Sequence, residues 1–196
     1  MIYKSEEFYK YWGLFEEVFF LNKRFPQNIF KYKFSNYTFI QFNETMTQEF
    51  WDEIRSWNSK NTKEILITVV EPDPVEYYFR EFNCYNMIKL SKTSSYSEYL
   101  QRLFEEPPNS PADSIFSNSF VIGWLSDSLE WAIWGERSLE FCIIGSNDPL
   151  PTPKTKLDTM DINDILGIVE YEIGRNIVHP HFFETFRKNY GEPRKN

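Results

Sequence analysis

FVIGWLSDSLEWAIWGERSLEFCIIG, residues 120–145, holds three short apolar runs, Phe120–Leu125, Leu129–Trp134 and Leu139–Gly145. They are joined by SDS and GERS. Runs of this length separated by small polar turns predict an antiparallel meander of three strands. If Leu129–Trp134 is extended, its side chains alternate. Leu129, Trp131 and Ile133 then face one way, and Glu130, Ala132 and Trp134 the other. A tryptophan on the charged face, beside the Gly135-Glu136-Arg137 turn, has the composition of an interface anchor. The candidate binding residues are therefore Trp134, Glu136, Arg137 and Glu140, together with Glu130. The competing reading packs the tryptophans under helices and pairs Arg137 locally with Glu136 or Glu140.

Upstream of the meander, helical and extended patterns alternate. Ser5 opens a stretch that places Phe8, Tyr11, Trp12, Phe15, Val18 and Phe19 on one face, with acids in the first turn that suit the helix dipole. Ile29–Phe42 alternates in short steps around Ser35-Asn36 and reads as a hairpin or two successive strands. A helix follows from about Thr47, with Phe50, Trp51, Ile54 and Trp57 on one stripe. EILITVV (64–70) is a near-continuous β-branched run, the mark of a strand covered on both faces. Asp73-Pro74 is an N-cap followed by proline at the first helical position. MIKL (87–90) reads as a strand, Ser95 caps another helix, and PPNSPADS (107–114) is a loop.

Downstream, residues 146–156 carry three prolines and no hydrophobic period, which predicts an extended surface loop. Asp161 opens a helix weakened by Gly167, Phe182–Tyr190 is a short aromatic segment, and 191–196 is a flexible tail. The expected fold is α+β in one domain, residues 1–196. Its centre is one mixed, largely antiparallel sheet of five to seven strands with helices packed on it and helices at the C-terminal end.

Aromatic residues make up 19% of the chain, as 19 Phe, 12 Tyr and 6 Trp. Rings in that number supply a large core and leave some Tyr and Trp for interfaces. The net charge of −8 is uneven. Residues 35–175 hold 23 acids against 11 bases, whereas the two ends together hold 6 against 10. An acidic middle argues against direct binding to a phosphate backbone, which requires Lys and Arg. It suits attraction to a basic partner and, equally, simple solubility. The N-terminal MIYKSEEFYKYW lacks the apolar core of a signal peptide, and no stretch approaches a membrane span, so cytoplasmic residence is expected.

Chemistry-bearing motifs are sparse. Cys84 and Cys142 sit in apolar runs and read as buried free thiols. His179 and His181, with Glu184, lack the convergence that metal ligation requires, so no metal and no cofactor are expected. There is no G-x-S-x-G elbow, S-x-x-K or glycine-rich phosphate loop. The carboxylate groupings Glu105-Glu106, Glu130/Glu136/Glu140 and Glu170/Glu172 read first as solvated faces, although a hydrolase needs only two carboxyls brought together in a cleft.

The run Ser110–Gly145, and within it W-A-x-W-G-E-R-S-L-E (Trp131–Glu140), resembles small bacterial cytoplasmic immunity-type proteins encoded beside secreted polymorphic toxins. The resemblance covers under a fifth of the chain and carries over no set of binding residues. It implies a single-domain, acidic, non-catalytic protein that covers the active site of a cognate toxin. The leading expectation is a binding protein with a protein partner, such as a basic toxin domain. The alternatives are a hydrolase built on carboxylates or on the His179/His181 segment, and a phage or plasmid accessory protein that mimics nucleic-acid charge.

Overall fold

The structure is a computed structural model and describes residues 1–57, 61–150, 157–173 and 180–191. The meander forms as strands β4 (Val121–Ser126), β5 (Trp131–Glu136) and β6 (Phe141–Ser146). It joins β1 (Asn36–Gln41), β2 (Glu64–Glu71) and β3 (Met87–Ser91) in one six-stranded sheet of order β1-β6-β5-β4-β2-β3. The sheet that the sequence describes as mixed and largely antiparallel is antiparallel at every pairing. Register is set across the middle by Trp124 opposite Ile133 and Ile133 opposite Ile144.

All three apolar runs start later than predicted, the first by one residue and the other two by two. Leu129 has φ 57°, a left-handed conformation that no strand accommodates, so β5 begins at Trp131. Arg137–Leu139 tightens into a 3-10 turn and Glu140 takes φ 59°, so β6 begins at Phe141. The side-chain alternation along β5 follows the predicted parity. Trp131 and Ile133 enter one apolar cluster with Trp124, Ile65 and Ile67, and Ala132 and Trp134 enter a second with Leu66, Leu125 and Ile143.

Both faces are covered, which is why all six residues in each of β4, β5 and β6 are buried. Helix α1 (Ser5–Val18) lays Phe8, Tyr11, Phe15 and Val18 on the Trp134 face. Helices α5 (Ile162–Ile173) and α6 (Pro180–Tyr190) extend that layer through Ile165, Val169, Phe186 and Tyr190. On the Trp131 face lie α2 (Gln48–Ser56), with Phe50, Trp51 and Ile54, and α4 (Tyr96–Leu103), with Tyr99 and Leu103. The result is three layers, helix on sheet on helix. Much of the aromatic content is consumed here, for example in the Trp51–Tyr99 stack at 4.5 Å. Cys84 and Cys142 are free and buried in these layers.

The two caps anticipated from sequence, Asp73 and Ser95, are in place, and Thr47 supplies a third. Thr47 accepts from Phe50 N, and Ser95 forms a reciprocal capping box with Glu98. Asp73 Oδ1 accepts from Val75 N and Glu76 N, both at 2.8 Å. The helix it opens is a π turn, Pro74–Phe79, running into the short α3 (Arg80–Phe82).

The predicted extended pairing over Ile29–Phe42 is corrected in its first half. Only Asn36–Gln41 is a strand, while Phe30 makes an isolated bridge to Phe19. Phe30 and Phe34 are both buried, and Phe34 lies across Gly145 of β6. Their alternation reflects two rings folding into one cluster rather than ladder pairing. Of the predicted loop 146–156, Ser146 closes β6, and residues 151–156 lie outside the described residues, as does the predicted tail from 192.

Gly145 is required by that ring. A Cβ there would meet the Phe34 side chain, whose Cγ is 2.8 Å away. Gly145→Ala is expected to lower stability by about 1–3 kcal/mol in urea denaturation. Gly13, exposed on α1 with open space around its Cα, is the contrast. Gly13→Ala is expected to raise stability by about 0.5–1 kcal/mol.

Candidate functional site

The five residues singled out in the sequence do not converge. Glu130 precedes β5 and its Oε2 accepts from Ser128 Oγ at 3.1 Å and Thr62 Oγ1 at 3.4 Å. Glu136 closes the same strand, roughly 20 Å away at about 3.3 Å per residue. Glu140 is exposed in the β5–β6 turn. Arg137 pairs with neither Glu136 nor Glu140. Its Nε donates to Ser119 O (2.7 Å) and its Nη2 to Phe116 O (2.8 Å) and Ser119 Oγ (2.9 Å), while the guanidinium lies 4.9 Å from the Phe42 ring centre. Burial draws the guanidinium's pKa down.

The expectation that Trp134 stands on an exposed charged face is corrected. Trp134 is fully buried, its ring centre 5.1 Å from that of Phe19. Glu130 and Glu136 bracket its file of residues and make it look solvated, yet α1 and the segment after it roof it over.

Trp134 instead positions Glu136. Its Nε1–H donates to Glu136 Oε1 at 3.1 Å, and Phe25 N donates to the same oxygen at 2.9 Å. Glu136 is 5% exposed. Burial raises its pKa above the ordinary carboxylate value, against the two hydrogen bonds and the nearby Arg24, which lower it. Oε2 accepts no hydrogen bond among the described residues and is not sealed from solvent.

Glu136 lies in the wall of a cavity of about 390 Å³ at this end of the sheet. Phe25, Phe120, Leu139 and Phe182 supply apolar wall. The other charged wall residues are Arg24 and Glu71, bonded to each other through Arg24 Nε (3.1 Å) and Nη2 (2.6 Å). Arg24 Nη1 donates to Leu21 O and Lys23 O. Sequence reasoning missed Arg24, Phe25 and Glu71, since Phe25 and Glu136 are 111 positions apart and no local pattern joins them.

Phe120 is 56% exposed although it lines the cavity. Phe104 and Phe116, both exposed, stack at 4.1 Å. The segment bearing Phe116 and Phe120 is braced at both ends. Arg137 grips Phe116 and Ser119, and Asp113 accepts from Tyr77 OH (2.8 Å), Asn118 Nδ2 (2.6 Å) and Ser110 Oγ. Burial works to raise the Asp113 pKa, but those hydrogen bonds outweigh it and hold the carboxyl below its usual value.

The other carboxylate groupings have structural partners. Glu105 Oε2 accepts from the N-terminal ammonium at 3.0 Å, and Glu106 Oε2 from Asp113 N at 2.7 Å. Glu170 and Glu172 lie two apart on helix α5. His181 is exposed on α6, with its ring 3.2 Å from Thr185 Oγ1, and His179 lies outside the described residues. Among the described residues no group of three or more His, Cys, Asp or Glu could hold a metal ion, and no helix is long and apolar enough to cross a membrane.

No family model matches the chain. No curated protein and no solved structure is significantly similar to it either.

Because burial raises the pKa of Glu136 in the folded state, its contribution is favourable while it is protonated and is lost as pH rises through that value. Gln at this position keeps an Oε1 acceptor for Phe25 and Trp134 and is neutral at every pH. Glu136→Gln is therefore expected to melt higher than the unmodified chain at pH 7. The gap should close as pH falls below about 4, the unfolded carboxylate range. Thermal melts followed by circular dichroism across that window check it.

Proposed function

We propose that this chain is a non-enzymatic, cytoplasmic binding protein of the immunity type, which neutralises a basic bacterial toxin domain by covering it. One observation carries the reading: an exposed ring, Phe120, stands on a braced segment and in the lining of a pocket that also contains Glu71 and Glu136, and the same segment stacks exposed Phe116 on Phe104 at the end of α4. Exposed rings on a pre-formed surface act as anchors because little side-chain freedom is lost on binding. The chain's net charge of −8 attracts a basic partner and raises its association rate at low salt. Occlusion works by shape and charge and requires no catalytic group.

The test uses the protein encoded by the neighbouring gene. Titration calorimetry is expected to show tight binding that weakens as salt is added. The double variant Phe104→Ala/Phe116→Ala is expected to bind about tenfold or more weakly. Because both rings are exposed, its stability should stay within about 0.5 kcal/mol of the parent. A parent chain that does not bind, or a double variant that binds equally well, overturns the reading.

A second reading, a hydrolase, is favoured by the same cavity. A carboxyl of raised pKa and a second carboxylate in one cleft is the arrangement an acid–base pair requires. Saturable turnover abolished by both Glu136→Gln and Glu71→Gln would replace the binding reading with this one.

A further inference from the structure

Glu136 has no ion-pair partner within 4 Å among the described residues, although Arg24 lies near enough to favour its ionised form. Its carboxylate is almost wholly buried, and both of its protein donors, Phe25 N and Trp134 Nε1, converge on Oε1. A carboxylate buried to this degree, with one oxygen reached only by solvent, is stabilised further by a charged donor that bonds that oxygen. Arg24 does not fill that role. Its Nε and Nη2 serve Glu71 and its Nη1 serves two backbone carbonyls. With two carboxylates against one guanidinium, the cavity carries one uncompensated negative charge whenever Glu136 is ionised.

The remaining wall is apolar. Phe25, Phe120 and Phe182 offer ring faces and edges, and Leu139 adds aliphatic surface. A volume of about 390 Å³ falls within the ordinary range of ligand cavities. The combination selects its occupant by chemistry. An alkyl stem would lie against the rings, and a single terminal cation would donate to Oε2 and meet the ring quadrupoles. A carboxylate or phosphate would be repelled, and a neutral alkyl group would leave the charge unpaired.

We infer that the Glu136 cavity is a socket for one alkyl cation, the side chain of a lysine or arginine on the protein partner. This inference rests on the binding reading above and says which part of the partner is held. Phe120, in the pocket lining, would then lie against the base of that side chain.

The test uses n-butylammonium and n-butylguanidinium as probes, with 1-pentanol and pentanoate as the neutral and anionic counterparts. The indole N–H resonance of Trp134, bonded to the same carboxylate, is the reporter. Both cations are expected to shift it saturably in the millimolar range, and pentanol and pentanoate are expected to leave it in place. Glu136→Gln, which retains the acceptor for Trp134 and Phe25, is expected to weaken cation binding by about tenfold or more. Ser138→Trp, at the exposed lip of the cavity, is expected to block the cations with Glu136 intact. Pentanol binding as well as the ammonium, Glu136→Gln retaining full affinity, or no saturable shift would each overturn the socket. Competition separates this claim from the broader one. Displacement of the neighbouring gene's product by n-butylammonium, beyond that caused by sodium chloride at equal ionic strength, supports both. Cation binding through Glu136 without displacement overturns the socket's place in the interface and leaves the binding reading intact.

Discussion

The constraint on which the rest of this structure depends is the burial of β5 on both sides. It is an inner strand of the sheet, flanked by β4 and β6, and every one of its side chains is covered. That burial requires two helical layers, because a sheet with an apolar upper and lower surface is stable only when both are removed from water. It also forces whatever polar group ends the strand to find partners in the covering layer. Glu136 is that group, and Phe25 and Trp134 are its partners.

On the proposed binding reading, function follows from where the covering layer stops. Past Glu136 the roof of α1 and the segment behind it gives way to the Arg24–Glu71 pair and a cavity walled by rings. A carboxylate held just inside this margin is neither solvated nor fully paired. Such a group serves an interface better than a surface acid, because a cation that reaches it forms its ion pair out of water and under weak screening. The braced Phe116–Phe120 segment adds area without adding flexibility. Specificity on this account comes from one buried charge and affinity from the rings around it.

The layers of the fold were legible because they rest on local chemistry. The Asp73 and Ser95 caps, the β-branched run of β2 and the alternation along β5 are all written within a few residues of one another. The failures are equally local in origin. Leu129 reads as the start of a strand by hydropathy, but a positive φ sets it in the turn. Phe30 and Phe34 alternate like a strand and instead fill space over Gly145. The site was half legible. Glu136 was reachable from the turn it closes, and Trp134 was placed on the correct side of the strand. Its burial was hidden, because the rings that cover it lie more than a hundred residues earlier. Arg24, Phe25 and Glu71 carry no motif and become a site only through long-range packing.

The central claim is that Glu136 is held inside the margin of the core with one oxygen unpaired. Its side-chain carboxyl carbon, observed by ¹³C NMR during a pH titration, tests this most directly. The account expects a midpoint above that of the exposed glutamates, moving downward when n-butylammonium is added, since the cation stabilises the ionised form. A midpoint among those of the surface acids, indifferent to the cation, would contradict it.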